Sequence, residues 1–470
     1  MLFRSDSPNL IAGGRIDLSA LSGLAEPLGN ASTGFEAAAR QVAGIDTGEL
    51  SGPIGSPLAR AVERVRTAAR VVDDGHLAAQ VLPTMLGGTK HYLVVFDNNA
   101  EIRTTGGLPG AWALITATDG SLSLTSQGSF GPSLYSPTPV LPLSRAERAL
   151  FTDLPATDFR DTAFVPDAQR VARLQAALWE RGPGRSQPGG PVRLDGVLHL
   201  DTVGLSYLMG GTGPVTVENF QLTSDNAVDQ LLSRSYALLG ARSDEIFRAA
   251  TAAVFRKLTT SPDSPVDLVS GFTRAFAEDR FHAVGTTPRV ARLLKRAGGD
   301  GDLDPTAKGA PAAYVTLDDG TAAKMSYYLR RSTTAEVSCV DGRPALTGYT
   351  RLDQTIAKAT GAKLDPYVTG AGLAGLKPGT QQVVVRVYGP PGSGLAEVDL
   401  NGRDVTREVT RTTYLGRPAV VVPTLVDGAT PVLVAWRFTG GDLPTRPQVW
   451  QTPSVVPGGG LVTSTGSCRR

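Results

Sequence analysis

The run Asp97-Asn-Asn-Ala-Glu-Ile-Arg-Thr-Thr-Gly-Gly107 is where charge, carboxamides and flexible backbone coincide in this sequence. The guanidinium of Arg103 can grip a phosphate in bidentate fashion, and Gly106 and Gly107 can bring backbone N–H groups close to the same anion. Asn98, Asn99 and Glu101 add donors and acceptors, while Asp97 or Glu101 can carry a divalent cation such as Mg²⁺. Those parts suit pyrophosphate chemistry. They equally suit a polar corner in which Asn98 and Asn99 satisfy loop backbone, Glu101 pairs with Arg103 and the glycines only turn the chain. Competing chemistry is sparse. There is no Gly-x-Ser-x-Gly elbow, Walker loop or His-Glu-x-x-His motif, and the four histidines are scattered. His199 sits in an alternating strand and reads as a packed or surface imidazole.

The elements that position this loop come first. Tyr92 to Phe96 is an uninterrupted apolar run, the pattern of a strand covered on both faces, and sites often sit where such strands end. Asp119-Gly120, between Ala111–Thr118 and Ser121–Thr125, predicts a two-residue hairpin that continues the sheet antiparallel. Pro132 to Pro142 holds too many prolines for a regular element and predicts a surface excursion able to act as a lid. Upstream, Leu58, Val62, Val65, Ala69 and Val72 recur at helical spacing from Ser56, beside an arginine face taken as solvated. A helix from Pro166, with Val171, Leu174 and Leu178 on one stripe, leads into a mobile linker over 182–191. Beyond it Leu194, Leu198 and Leu200 alternate with Asp195, His199 and Asp201, and Val215 to Gln221 gives the second strand of a strand, helix, strand unit. Four capped helices follow, with apolar residues placed as core. From Pro311 the period changes to two, with runs at 312–317, 325–331 and 335–340, and the later strands suggest a separate β domain.

At 470 residues the chain is long enough for about three domains of roughly 150 residues each. Lysine plus arginine total 46 against 44 aspartate plus glutamate, so no global field points to nucleic acid, and any charge-based recognition must be local. Cys339 and Cys468 have no metal-ligand spacing and read as two unpaired thiols, although they could pair in an oxidising compartment. No apolar run approaches the roughly 20 residues of a spanning helix.

Four segments resemble a family of envelope proteins of high-GC Gram-positive bacteria known as a domain of unknown function. They are Tyr92–Gly107, Leu194-Asp-Gly-Val-Leu-His-Leu-Asp201, Gly213-Pro-Val215 and Ala323-Lys-Met-Ser-Tyr-Tyr-Leu-Arg330. The resemblance implies an extracytoplasmic protein, tethered by an N-terminal transmembrane helix that this sequence lacks, so an anchor missing upstream is the expectation. The order of strand, arginine loop, hairpin, Asp-Gly-Val-Leu-His-Leu-Asp and Gly-Pro-Val also looks like the LytR-CpsA-Psr enzymes. These transfer polymers from polyprenyl pyrophosphate to the cell wall with arginines and a magnesium-binding acidic cluster. That similarity makes Arg103 the phosphate ligand and Asp97, Asp195 and Asp201 the acidic partners, but the Pro-Arg-Asp signature of those enzymes is missing.

The expected fold is α/β, a mixed sheet flanked by helices (LytR-CpsA-Psr-like), with an N-terminal helical region and a C-terminal β-sandwich-like domain. Its divisions are 1–85, 86–375 with a helical insert, 376–455, and a disordered tail over 456–470. The leading functional expectation is a noncatalytic extracytoplasmic scaffold or binding protein of the cell envelope. The alternative is a Mg²⁺-dependent phosphotransferase or binder acting on polyprenyl-pyrophosphate-linked polymers. Partners are a cell-wall polymer, a polyprenyl-pyrophosphate lipid or an envelope protein. Lys324, followed by Met325 and two tyrosines, is a further candidate beside the reading of an ordinary strand lysine.

Overall fold

The structure is a computed structural model that describes residues 11–12, 15–43, 55–301, 303–307, 309–441, 443, 447–456 and 461–464. Its first sheet uses β1 (Ile11–Ala12), β2 (Arg15–Ile16), β3 (Thr89–Asn98), β4 (Leu108–Thr118), β5 (Ser121–Ser129) and β6 (Gly196–Asp201). β7 (Val215–Val217) and β8 (Phe220–Leu222) form a hairpin of their own, and β9 (Phe281–Gly285) closes the first sheet. The order is β1-β2-β5-β4-β3-β6-β9, with β3 and β6 parallel and the other pairs antiparallel. The fold is therefore α/β with a mixed sheet. Asp119 and Gly120, both at positive φ, make the expected hairpin.

Alternation along β3 explains its burial. Leu93 and Val95 point to one core with Trp112, Leu114 and the helix Ala168–Arg181. Tyr92, Val94 and Phe96 point to the other, against the helices Gly55–Leu86, Thr202–Thr212 and Ser243–Thr260. Both faces being covered is what the unbroken apolar run requires.

Eleven more strands are β10 (Ala313–Asp319), β11 (Leu329–Val340), β12 (Arg343–Gln354), β13 (Gln381–Tyr388), β14 (Ser393–Leu400), β15 (Arg403–Asp404), β16 (Thr410–Tyr414), β17 (Arg417–Val426), β18 (Val432–Gly440), β19 (Val449–Gln451) and β20 (Leu461–Ser464). They form two sheets, β16-β17-β13-β10-β19 and β15-β14-β18-β12-β11-β20. Val315, Leu317, Val383, Val385, Val420 and Val422 fill the space between these sheets with Trp436 and Phe438. The opposite face of the five-stranded sheet is also covered. Tyr314, Tyr388, Tyr414 and Trp450 join the core of the first unit, and Phe151 meets Tyr414 edge-on at 6.1 Å.

Several expectations change. The β unit starts at β10 rather than at residue 376, because β10 pairs with β13 and β12 with β18, pairings between distant segments that local periodicity does not carry. Val215–Gln221 turns back on itself, and β9 takes the place beside β6. The run 325–331 is a 3-10 turn, Met325–Tyr327, followed by the start of β11. The segment 182–191 packs through Ser126 Oγ donating to Gln187 Oε1 at 2.7 Å, and Leu134 and Leu143 bury the two ends of the proline-rich excursion. Within the expected tail, Leu461–Ser464 is a strand, its β-branched residues pairing parallel with the edge of β11. Cys339 on β11 is disulfide-bonded, against the expectation of free thiols; Cys468 lies outside the described residues.

Candidate functional site

β3 ends in a register shift between Phe96 and Asp97, and the loop that follows is sunk between the first sheet and the sandwich. Asn98 Oδ1 accepts the Ala100 N–H at 3.0 Å, and its amide donates to the Tyr236 hydroxyl at 2.6 Å. Asn99 Oδ1 accepts the Thr202 N–H at 3.0 Å, while its amide donates to Asp201 Oδ2 at 2.8 Å and Gly106 O at 3.1 Å. Gly106 turns the chain at φ +120°, and Gly107 passes so close to Asn98 that a Cβ would lie 2.5 Å from its carbonyl carbon.

Arg103 is 5 % exposed. Its Nη2 donates to Glu101 Oε1 at 2.8 Å and Asp161 Oδ1 at 3.4 Å, its Nη1 donates to the carbonyls of Ile102 and Asp319, and its guanidinium stands 4.8 Å from the Phe164 ring centre. The other Glu101 oxygen accepts from Lys324 Nζ. Burial pushes Glu101 up, but Lys324 and Arg103 outweigh it, so its carboxyl sits below the usual range. Thr104 donates through N–H and hydroxyl to Asp318, which also holds Arg386. Between these polar anchors Ile102, fully buried, enters the sandwich core. The candidate loop is thus a plug that fastens one unit to the other.

The three aspartates do not converge. Asp97 and Asp201 are partners across β3 and β6, whereas Asp195 precedes β6 at its opposite end, bonded to Lys90 at 3.2 Å and the His91 N–H at 3.0 Å. Asp201 is committed to Arg280, Asn99 and the Gly204 N–H. Asp97 Oδ2 meets His199 Nδ1 at 3.0 Å, and His199 Nε2 meets Gln175 Oε1 at 2.7 Å, leaving the imidazole no nitrogen for a substrate. Burial raises the Asp97 carboxyl and His199 opposes it. A hard cation needs several oxygens free to coordinate. Here Asp97 Oδ1 alone lacks a partner, so these residues do not fit Mg²⁺, and among the described residues no cluster of three or more acids, histidines or cysteines is arranged for a metal.

Beside the plug lies a cleft of about 360 Å³ lined by Asn98, Glu101, Arg160, Asp244, Lys324 and Tyr367 among others. Arg160 stacks 3.7 Å over Phe130, pairs with Asp158 at 2.7 Å and keeps 41 % of its side chain exposed. Tyr367 donates to Asp244 at 2.6 Å. Arg160, Asp244 and Tyr367 escape the sequence reading because they lie in three segments far apart in the chain and only the fold brings them together.

Residues 87–236 match the model of a family of proteins of unknown function, DUF4012. The DUF4012 stretch starts just before β3 and ends at Tyr236, whose hydroxyl holds Asn98, so it takes in the plug and both strands that carry Asp97 and Asp201. No curated protein matches the chain. Among solved structures, an M1 zinc metallopeptidase from Deinococcus radiodurans aligns at 8 % identity and a TM-score of 0.13, over 31 % of this chain and 25 % of its own. A mutant of that enzyme with a Tyr-Ser-Ala substrate bound gives 11 % and 0.12 over the same shares. The alignment spans a quarter of the peptidase, and a likeness this slight bears on neither fold nor chemistry.

Proposed function

We propose that this chain is a noncatalytic scaffold or binding protein of the cell envelope, working on the extracytoplasmic face of the membrane and engaging a cell-wall polymer or another envelope protein. The observation that carries the reading is the state of Arg103. Its guanidinium is spent on Glu101, Asp161 and two carbonyls inside the protein, so the loop that resembles a phosphate grip serves as a joint. The cleft beside it is lined by neither histidine nor cysteine and balances Arg160 and Lys324 against Glu101 and Asp244, a lining suited to holding a polar chain. The disulfide-bonded Cys339 supports an oxidising compartment. Among the described residues no helix is long and apolar enough to cross a membrane, so tethering through an N-terminal helix belongs to the proposal.

Isolated envelope polymer should carry the purified chain into the pellet, and incubation with a polyprenyl-pyrophosphate donor and Mg²⁺ should yield no transfer. One observation favours a second reading, a lipid-pyrophosphate binder or transferase of the LytR-CpsA-Psr kind: Arg160, half-exposed, and Lys324 both line the cleft at the carboxyl end of β3. Transfer that disappears in Arg160→Ala while the melting temperature holds would replace the first reading with this one.

A further inference from the structure

At the opposite end of the first sheet lies a second, more open cleft of about 580 Å³, between the helix Ala168–Arg181, the turn Pro183–Ser186 and the segment that leads into β6. Arg173, Arg181, Arg185 and Arg193 line it, with Glu180 as the single carboxylate. Both Glu180 oxygens are committed, one accepting from Arg193 Nη1 at 2.6 Å and the other from the Leu194 N–H at 2.9 Å. Arg181 donates to the Ser136 hydroxyl at 2.7 Å and Arg173 to the Gln169 carbonyl at 3.4 Å, both uncharged acceptors. Arg185 has no partner among the described residues. Asp167, whose carboxyl feels Arg173, is occupied capping its helix through the Arg170 N–H at 3.0 Å.

Three guanidinium charges around one concave volume are left without a carboxylate. The partial negative charge of the helix's carboxyl end accounts for Arg181 in the last turn. It does not account for Arg173, about two turns earlier, or for Arg185 beyond the helix. On a convex surface such charges would be spread and solvated, but a cleft lined by one sign concentrates its field on whatever enters. Guanidinium forks match planar or tetrahedral oxyanions. One carboxylate would occupy one fork, whereas three forks call for an anion with two charges and three acceptor oxygens, the description of a phosphate group.

We propose that this arginine cleft binds a phosphate group, carried on a small molecule or repeated along a polymer. The site is independent of the envelope reading above and of the plug, since Arg193 and Leu194 lead into β6 whereas Asp201 ends it.

Titration calorimetry of the full chain with inorganic phosphate, pyrophosphate and short-chain polyphosphate at low salt tests the site. Saturable binding is expected to weaken about tenfold or more in the double variant Arg173→Gln, Arg185→Gln, a loss on the scale of one charge-assisted contact. It should hold in Arg411→Gln, an exposed arginine of the sandwich, and fall as salt screens the cleft. Arg185→Lys, which keeps the charge but loses the fork, should bind pyrophosphate between wild type and the double variant. Both targeted side chains are exposed, so the melting temperature should not move, and a weakened binder with unchanged melting supports the site. Tighter binding of polyphosphate than of pyrophosphate assigns a polymer, and equal binding assigns a small ligand. No binding of any of the three at about 10 mM, far above the micromolar range of specific sites, or equal affinity in wild type and double variant, overturns the proposal.

Discussion

Burying an ion costs several kcal/mol unless a partner and hydrogen bonds satisfy it. Around Ile102 that condition is met by reciprocal pairing of Arg103, Lys324 and Arg386 with Glu101, Asp161 and Asp318. Removing one member leaves the others charged and unpaired. Arg103→Ala should therefore destabilise the fold by about 3–5 kcal/mol, measured by urea unfolding, while leaving anion affinity unchanged in the folded fraction. Asp318 gives a second measurement. Burial pushes its carboxyl up to about 6 although Arg386 and Arg103 pull the other way. A raised carboxyl means that the folded protein binds the proton more readily than the unfolded one. Its stabilising contribution is complete below the ordinary value of 3.8 and is lost as pH rises through about 6. Glu101, held low, acts in the opposite sense only below 4.5. His282, which burial holds below its ordinary 6.5, adds stability as pH rises through the same window, so Asp318 is isolated by difference: the stability of wild type minus that of Asp318→Asn should fall between about pH 4 and 6.5. A difference that stays flat or rises across this window would remove Asp318 as a source of the pH dependence. The pairing of Glu101 with Arg103, two residues apart, was legible from the sequence. Lys324, 223 positions from Glu101, was not, since nothing local ties those segments together.

Strands and helices form where burial patterns demand them, and the plug depends on how tightly two of these elements close on each other. Gly107 leads into β4 with no room for a side chain, the backbone carbonyl of Asn98 lying 2.6 Å from where a Cβ would sit. Gly107→Ala should push the ends of β3 and β4 apart at a cost of about 1–3 kcal/mol. Thermal melting checks it, and a variant as stable as wild type would show that the strand ends can spread freely. The elements legible in advance were those with a strong local signature. The run Tyr92–Phe96 gave a strand covered on both faces, Asp119-Gly120 gave a hairpin, and the stripe Val171, Leu174, Leu178 gave a helix. β9 was not legible, because a five-residue run between two helices, Phe281 to Gly285 with His282 among them, is too short for its period to distinguish it from helix. The same limit applies to β10, whose run was visible but whose partner, β13, begins 62 residues after β10 ends.

Tyr314 and Trp450 sit in the core of the first unit, and Ile102 sits in the core of the sandwich, so each unit completes the other's interior. The five-stranded sheet is buried on both faces, an arrangement that neither unit could keep if the other unfolded, since aromatic and aliphatic surface would be exposed at about 25 cal/mol per Å². One cooperative transition follows, despite a length at which separate domains are the usual outcome. Ile102→Ala provides the test. Losing a fully buried isoleucine costs about 2–5 kcal/mol, with the spread set by how far the cavity collapses. If the units are coupled, the loss must appear equally in both. Pulsed hydrogen exchange should show amides of β3 in the first unit and of β12 and β18 in the sandwich opening together, at a free energy lowered by the same amount in each. Exchange accelerated in the sandwich alone would mean that Ile102 serves only the core it enters, and the plug would then be a contact between two independently stable domains.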